Sequence, residues 1–256
     1  MDKRLGAQLY SVRDLCKTKE EFEGTMKKLA EIGFKTVQLS GIPTEVSGDP
    51  LYVRSVFESN GLECVATHRA FTDYDNDIDA MVDYHKKLNC KVAGIGALPI
   101  EFRGDLATLR ETVKKCNEFN KRLMAEGMKF GWHNHAFEYS KLEGKFIMDV
   151  CLEEGEFSFI LDTYWLACAG IDPAKFIRDR GERISVIHYK DLMVTDKNEV
   201  RYTEVGSGTL NWDDIVASSV KPDCAVIELD RYHINDDPIQ SLSMSYKFLT
   251  ERYDFT

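Results

Sequence analysis

Met128-Lys129-Phe130-Gly131-Trp132 runs into His133-Asn134-His135, and three later apolar runs end in the same manner. Phe157-Ser158-Phe159-Ile160-Leu161 ends in Asp162, Ile184-Ser185-Val186-Ile187 in His188, and Cys224-Ala225-Val226-Ile227 in Glu228. Short, nearly continuous apolar runs are the mark of parallel strands covered on both faces. If these four are neighbours, their C-terminal ends gather two carboxylates and several imidazoles above a buried sheet. Those donor types together bind a divalent metal.

Working outward, further strand-like segments end near Gln8, Gln38, His68 and Gly96, so that eight strand ends recur roughly 26 to 40 residues apart, the length of a repeated β-loop-α-loop unit. Helix signals fill the intervals. Phe22, Met26, Leu29 and Ala30 share one helical face that Gly33 closes, and Asp49-Pro50 is an N-cap followed by proline at the first helical position, with Val53, Val56 and Phe57 behind it. Leu106, Leu109, Val113, Cys116 and Leu123 mark a longer helix before Gly127, and Asp172-Pro173 and Asp237-Pro238 open two more. Eight strands alternating with about eight helices form either a closed barrel or a doubly wound sheet. A polar residue at every strand end is useful only where all ends face one mouth, which predicts a (β/α)8 TIM barrel. No linker or low-complexity tract divides the chain, so residues 1–256 are expected to form a single domain.

The 256 residues carry a formal net charge of -10, and the basic residues cluster no more densely than pairs such as Lys27-Lys28. Phosphate backbones need a concentrated basic surface, so nucleic acid is not an expected partner. The hydrophobic fraction of 43% supports a sizeable core, while no apolar run approaches the roughly 18 residues of a membrane span. Seven cysteines form no C-x-x-C pair, and Met1-Asp2-Lys3-Arg4-Leu5 lacks the pattern of a signal peptide. Reduced core cysteines and a cytoplasmic location are expected.

Each candidate residue has an ordinary alternative. Asp162 could be only a helix N-cap, and His188 only a hydrogen-bonded strand-end histidine. Glu228, directly after Ala-Val-Ile in a buried strand, is costly without a cation or strong donors. Strand alternation sends His133 and His135 to one side and Asn134 to the other. Glu138 lies three residues farther on, and either His133 or Glu138 could complete a four-ligand set with Asp162, His188 and Glu228. His68 is expected at the mouth, touching substrate; His85, beside Lys86-Lys87 on a helix, is expected at the surface, and His233 is left open. Trp165, Trp132 and Phe71 are candidate apolar walls for a bound substrate.

Taken together these segments resemble the sugar phosphate isomerase/epimerase superfamily, the xylose isomerase-like barrels. The resemblance runs over nearly the whole chain. It is carried by Gly6-Ala7-Gln8-Leu9-Tyr10-Ser11-Val12-Arg13-Asp14, Thr36-Val37-Gln38-Leu39, His133-Asn134-His135, Leu161-Asp162-Thr163, His188-Tyr189-Lys190-Asp191, Val205-Gly206-Ser207-Gly208-Thr209-Leu210-Asn211-Trp212 and Ile227-Glu228-Leu229-Asp230. It implies that Asp162, His188 and Glu228 are metal ligands and that Lys190 contacts substrate oxygens. Two departures stand out. His133, in a His-Asn-His variant, falls where epimerases carry a glutamate, and Gln38 falls where many relatives carry glutamate.

The implied activity is a metal-dependent isomerase or epimerase of a sugar or sugar derivative. One divalent ion, with the nitrogen ligands favouring Mn, Zn or Co over Mg, would stabilise an enediolate. Glu228 would move the proton on one face, and Glu138, His133 or His135 would return it. A lyase or dehydratase acting on a keto-sugar or keto-inositol uses the same enolate, and a non-catalytic sugar-binding relative is the third reading. An endonuclease would need more histidines and a basic face. A small carbohydrate is the implied partner; homo-oligomerisation is left open.

Overall fold

The computed structural model describes residues 1–231 and 236–256, so His233 lies outside the described residues. Eight strands, β1 (Leu5–Gln8), β2 (Thr36–Leu39), β3 (Glu63–Arg69), β4 (Val92–Ile95), β5 (Lys129–His133), β6 (Ser158–Asp162), β7 (Ile184–Tyr189) and β8 (Cys224–Ile227), lie side by side in chain order. All neighbours are parallel, and β8 pairs back onto β1 through Leu5 and Ala225, Gly6 and Val226, and Ala7 and Ile227, closing the barrel. The predicted strand ends all fall on this barrel's C-terminal rim. Complete burial of β1, β2, β4, β7 and β8 explains their unbroken apolar reading.

The main outer helices are α1 (Lys19–Ile32), α2 (Pro50–Ser59), α3 (Ile78–Leu88), α4 (Leu106–Met124), α5 (Ile147–Glu154), α6 (Pro173–Arg180), α7 (Trp212–Ser218) and α8 (Pro238–Arg252). Their starts follow local chemistry. Thr18 and Glu21 form a reciprocal capping box on α1, and Asp49, Asp172 and Asp237 each cap a helix that has proline in its first turn. Gly33 ends α1 at φ +123°, a backbone geometry that favours glycine. None of the described helices is long and apolar enough to cross a membrane.

Two cores follow from strand alternation. Outward-facing residues such as Phe130, Trp132, Phe159, Leu161, Ile187 and Ile227 join the helices in the large core, while Ala66, Val92, Ile160, Val186, Cys224 and Val226 form a smaller core inside the barrel. Ile160 fills space left by two glycines. A Cβ on Gly94 would overlap Ile160 Cδ1, and one on Gly131 would lie 2.9 Å from Ile160 Cγ1. Because inward positions repeat every second residue, Ala66, Gly131, Ile160, Val186 and Val226 are followed, one layer up, by His68, His133, Asp162, His188 and Glu228. The candidate site is thus the top layer of the barrel's own interior.

Beyond β7 the chain forms an antiparallel hairpin, Asp191–Val194 with Val200–Thr203, which the sequence reading did not anticipate. It returns through the glycine-containing loop Val205–Trp212, whose shape is set by one carboxylate. Buried Asp191 accepts from the backbone N–H groups of Leu192, Gly206, Gly208 and Leu210 and from Trp212 Nε1 at 2.7 Å. That part of the recognised pattern is therefore scaffolding.

Candidate metal centre and substrate mouth

His133 ends β5, Asp162 ends β6, His188 lies one residue from the end of β7, and Glu228 follows β8 directly. One donor atom from each lies within 4.8 Å of the others, and all four residues are buried. Ligands held at about 2.0 to 2.6 Å from one ion are separated by distances of this order. His68 stands beside them, its ring 4.8 Å from that of His133 and 5.4 Å from that of His188.

The hydrogen bonds prepare these donors. His133 Nδ1 lies 3.2 Å from the Ile160 carbonyl; a carbonyl only accepts, so the proton is on Nδ1 and Nε2 keeps its lone pair. His188 Nε2 lies 2.8 Å from Gln38 Oε1, across the barrel. Its Nδ1 faces the other way, donating to Glu228 Oε2 at 2.8 Å and lying 4.0 Å from Asp162 Oδ2; a metal on Nδ1 would take the place of that proton. Asp162 divides its labour: Oδ1 accepts from Trp165 N, capping the Thr163–Cys168 helix, whereas buried Oδ2 has no hydrogen-bond partner. The N-cap alternative therefore accounts for only one of its oxygens. Asn134, on the opposite face from its histidine neighbours, accepts from Asp162 N and holds this turn in place.

Lys190 supplies a positive charge beneath the mouth. Its Nζ is 2.6 Å from Asp230 Oδ2 and 3.4 Å from both Asp162 Oδ2 and Glu228 Oε2. Burial opposes its charge, but the three carboxylates outweigh burial and hold it firmly protonated. Burial likewise presses Glu228 upward, yet Lys190 and His188 bring its carboxyl well below the usual range. Asp162 is pushed up to about 7, by burial above all, against the pull of Lys190. Burial, reinforced by neighbouring positive groups, keeps His133 and His68 neutral and lowers His135 to about 4. Neutral imidazoles and ionised carboxylates are the forms that ligate a metal. The residues present fit a single divalent ion.

Above this group opens a cavity of about 400 Å³. Of the residues singled out in the sequence, His68, His133, His135, Trp165, Lys190 and Glu228 line it. His135 Nδ1 is buried without a hydrogen-bond partner, and its ring lies 5.2 Å from that of Trp165.

Several placements correct the sequence reading. Trp132 is on the outward face of β5, fully buried and stacked on Phe157, so it cannot wall the substrate. The alternation that brings His133 inward sends Trp132 outward. Glu138 is also away from the mouth: Oε1 accepts from Trp132 Nε1 at 3.1 Å and Oε2 from His135 N at 2.7 Å. With both oxygens so used it neither joins the four-residue group nor faces the cavity, and burial raises its pKa to about 8. Phe71 packs against Phe102 and Phe119 in the outer core. His85 is fully buried, bonded to Thr67 Oγ1 and the Met81 carbonyl. Residues the sequence reading did not assign also line the mouth: Tyr10, Arg13, Tyr202, Asp230 and Arg231. Arg13 and Asp230 lay in recognised segments, but Tyr202 reaches the mouth from the unanticipated hairpin.

The architecture is that of a TIM barrel, and it superposes on several solved structures. A sugar phosphate isomerase/epimerase from Parabacteroides distasonis superposes with a TM-score of 0.82 at 18% identity, covering 100% of this chain and 96% of that one. A second from the same organism gives 0.79 at 20% identity, covering 99% and 100%. A probable 3-DHS dehydratase from Bacillus anthracis gives 0.76 at 13% identity, covering 97% and 99%. No family model matches the sequence, and no curated protein does. At these identities the likeness establishes the fold.

Proposed function

We propose that the protein is a metal-dependent isomerase or epimerase of a sugar or sugar derivative. The observation that carries this reading is the convergence of His133, Asp162, His188 and Glu228, with Asp162 Oδ2 accepting no hydrogen bond, at the base of a cavity. Those four residues would hold one divalent ion, and the two imidazoles favour Mn, Zn or Co over Mg. Bound there, such an ion would supply Lewis-acid polarisation that acidifies the carbon next to a substrate carbonyl.

The chain's own groups do the rest. Glu228 turns Oε2 toward His188 and lines the cavity, so its carboxylate is in place to take the proton from the carbon next to the carbonyl. His135, neutral at pH 7 and with Nδ1 unpartnered, is the better carrier for the opposite face, now that Glu138 is accounted for in the core. Lys190 orients substrate oxygens, and Trp165 offers an apolar face. The likeness to a protein described as a dehydratase supports a second reading, a lyase that begins with the same proton abstraction and ends with loss of a β-oxygen.

Incubation of the metal-loaded protein with candidate keto-sugars in D2O tests both. Exchange of the carbon-bound proton next to the carbonyl, followed by NMR, is expected, and Glu228→Gln should slow it by about 100-fold or more. Wild-type exchange in Glu228→Gln would remove this residue from the mechanism.

A further inference from the structure

We infer that the mouth holds a preformed seat for an anionic group of the substrate, a carboxylate or a phosphate, built on Arg13 with Arg231 beside it. This rests on the carbohydrate reading above and narrows it to acidic or phosphorylated sugar derivatives. Arg13 sits on the short 3-10 turn Leu9–Leu15 that leaves β1. Its guanidinium lies 3.9 Å from the centroid of the Tyr10 ring, Nη1 donates to the Tyr10 carbonyl at 2.5 Å, and Nη2 donates to the Asp230 carbonyl at 3.2 Å.

Tyr10 can occupy that position because Gly41, at φ +71°, is beneath it. A Cβ there would lie 2.6 Å from Tyr10 Cδ2. These contacts fix the arginine without neutralising it, since carbonyls accept hydrogen bonds but carry no net charge. Among the described residues Arg13 forms no ion pair, in contrast to Lys190, whose charge is met by three carboxylates. An arginine has five N–H donors, and two of them meet protein carbonyls, which leaves the others on a held side chain that lines the cavity.

Charge around the mouth points the same way. Arg13, Lys190 and Arg231 face Asp162, Glu228 and Asp230, so the side chains balance and a seated divalent ion leaves the site positive. A neutral polyol leaves that excess unmet. An anion on the Arg13 side meets it while the other end of the molecule reaches the Glu228 side. In a chain of net charge -10, where acidic partners are plentiful, an arginine that meets none among the described residues leaves its charge for a ligand.

The test compares three probes of one carbon skeleton, sorbitol, gluconate and sorbitol 6-phosphate, by calorimetry on the Mn2+-loaded protein. At least one anion should bind about tenfold or more tighter than sorbitol, the scale of one or two charge-assisted hydrogen bonds. Arg13→Gln should bring that anion to the sorbitol level without changing sorbitol affinity or metal content, and Arg13→Lys should keep part of the preference. Arg231→Gln provides an independent variant, expected to reduce the same preference. The carboxylate and phosphate probes identify which anion the seat takes. Sorbitol binding as tightly as both anions, or Arg13→Gln weakening all three equally, would overturn the inference and leave the carbohydrate reading intact. Failure of all three to bind a metal-loaded protein would bring down the carbohydrate reading and the seat with it.

Discussion

Asp162→Asn should have opposite effects on the metal-free and the metal-loaded protein. Asparagine keeps the Oδ1 that caps the Thr163–Cys168 helix and removes the charge at buried Oδ2, which accepts no hydrogen bond. In the folded chain burial raises the Asp162 pKa to about 7 from an ordinary 3.8. A carboxyl with a raised folded pKa binds its proton more tightly when folded. The metal-free protein therefore loses no stability on this account below the unfolded pKa, and loses it progressively as pH rises from about 4 to about 7. A shift of about three units at about 1.4 kcal/mol each amounts to roughly 4 kcal/mol above pH 7. That figure already includes the attraction of Lys190, 3.4 Å away. Urea melts in chelator at pH 8 should find Asp162→Asn more stable than wild type by about 1 to 4 kcal/mol, with the gap closing toward pH 4. In Mn2+ at about 10,000 times its Kd the order should reverse, since the ion then adds about 5.5 kcal/mol to wild type. Lower stability of the variant under both conditions would mean that the Asp162 charge is already stabilised by Lys190 without a metal, contrary to this expectation.

Other predictions concern the residues around it. Glu228→Ala should abolish the one divalent ion per chain that elemental analysis is expected to find in wild type, while the circular dichroism spectrum stays native. Gln38→Leu should weaken metal binding by about 10- to 100-fold, as loss of a partner that orients a ligand does, read by calorimetry; an unchanged affinity would show that His188 needs no help from β2. Asp191→Ala strands five N–H donors and should cost about 3 kcal/mol or more in urea melts, with metal content per folded chain unchanged.

The barrel was legible because parallel strands sheathed by helices must be apolar on both faces, and because Asp-Pro pairs mark helix starts by a local mechanism. The gathering of Asp162, His188 and Glu228 was legible for the same reason, since every strand end opens onto one rim. Alternation along β5 also contained the answer for Trp132: a residue adjacent to inward-facing His133 must point outward. Glu138 was harder, because the Trp132 indole and the His135 backbone N–H that receive its carboxylate become neighbours only after the chain turns. His85 looked exposed beside two lysines, but its partner Thr67 lies on β3, beyond the reach of helical periodicity. The pairing of Gln38 with His188 joins residues 150 positions apart across the barrel interior. Nothing local in the segment around Tyr202 signals its place at the mouth.

The central claim is that one metal ion sits among His133, Asp162, His188 and Glu228. Anomalous diffraction from a crystal grown with Mn2+, recorded at the manganese edge, tests it most directly. A single strong peak is expected at the C-terminal mouth, about 2.0 to 2.6 Å from a donor atom of each of the four residues. A manganese peak elsewhere on the protein, or an empty mouth with Lys190 Nζ still beside Asp162 and Glu228, would contradict it.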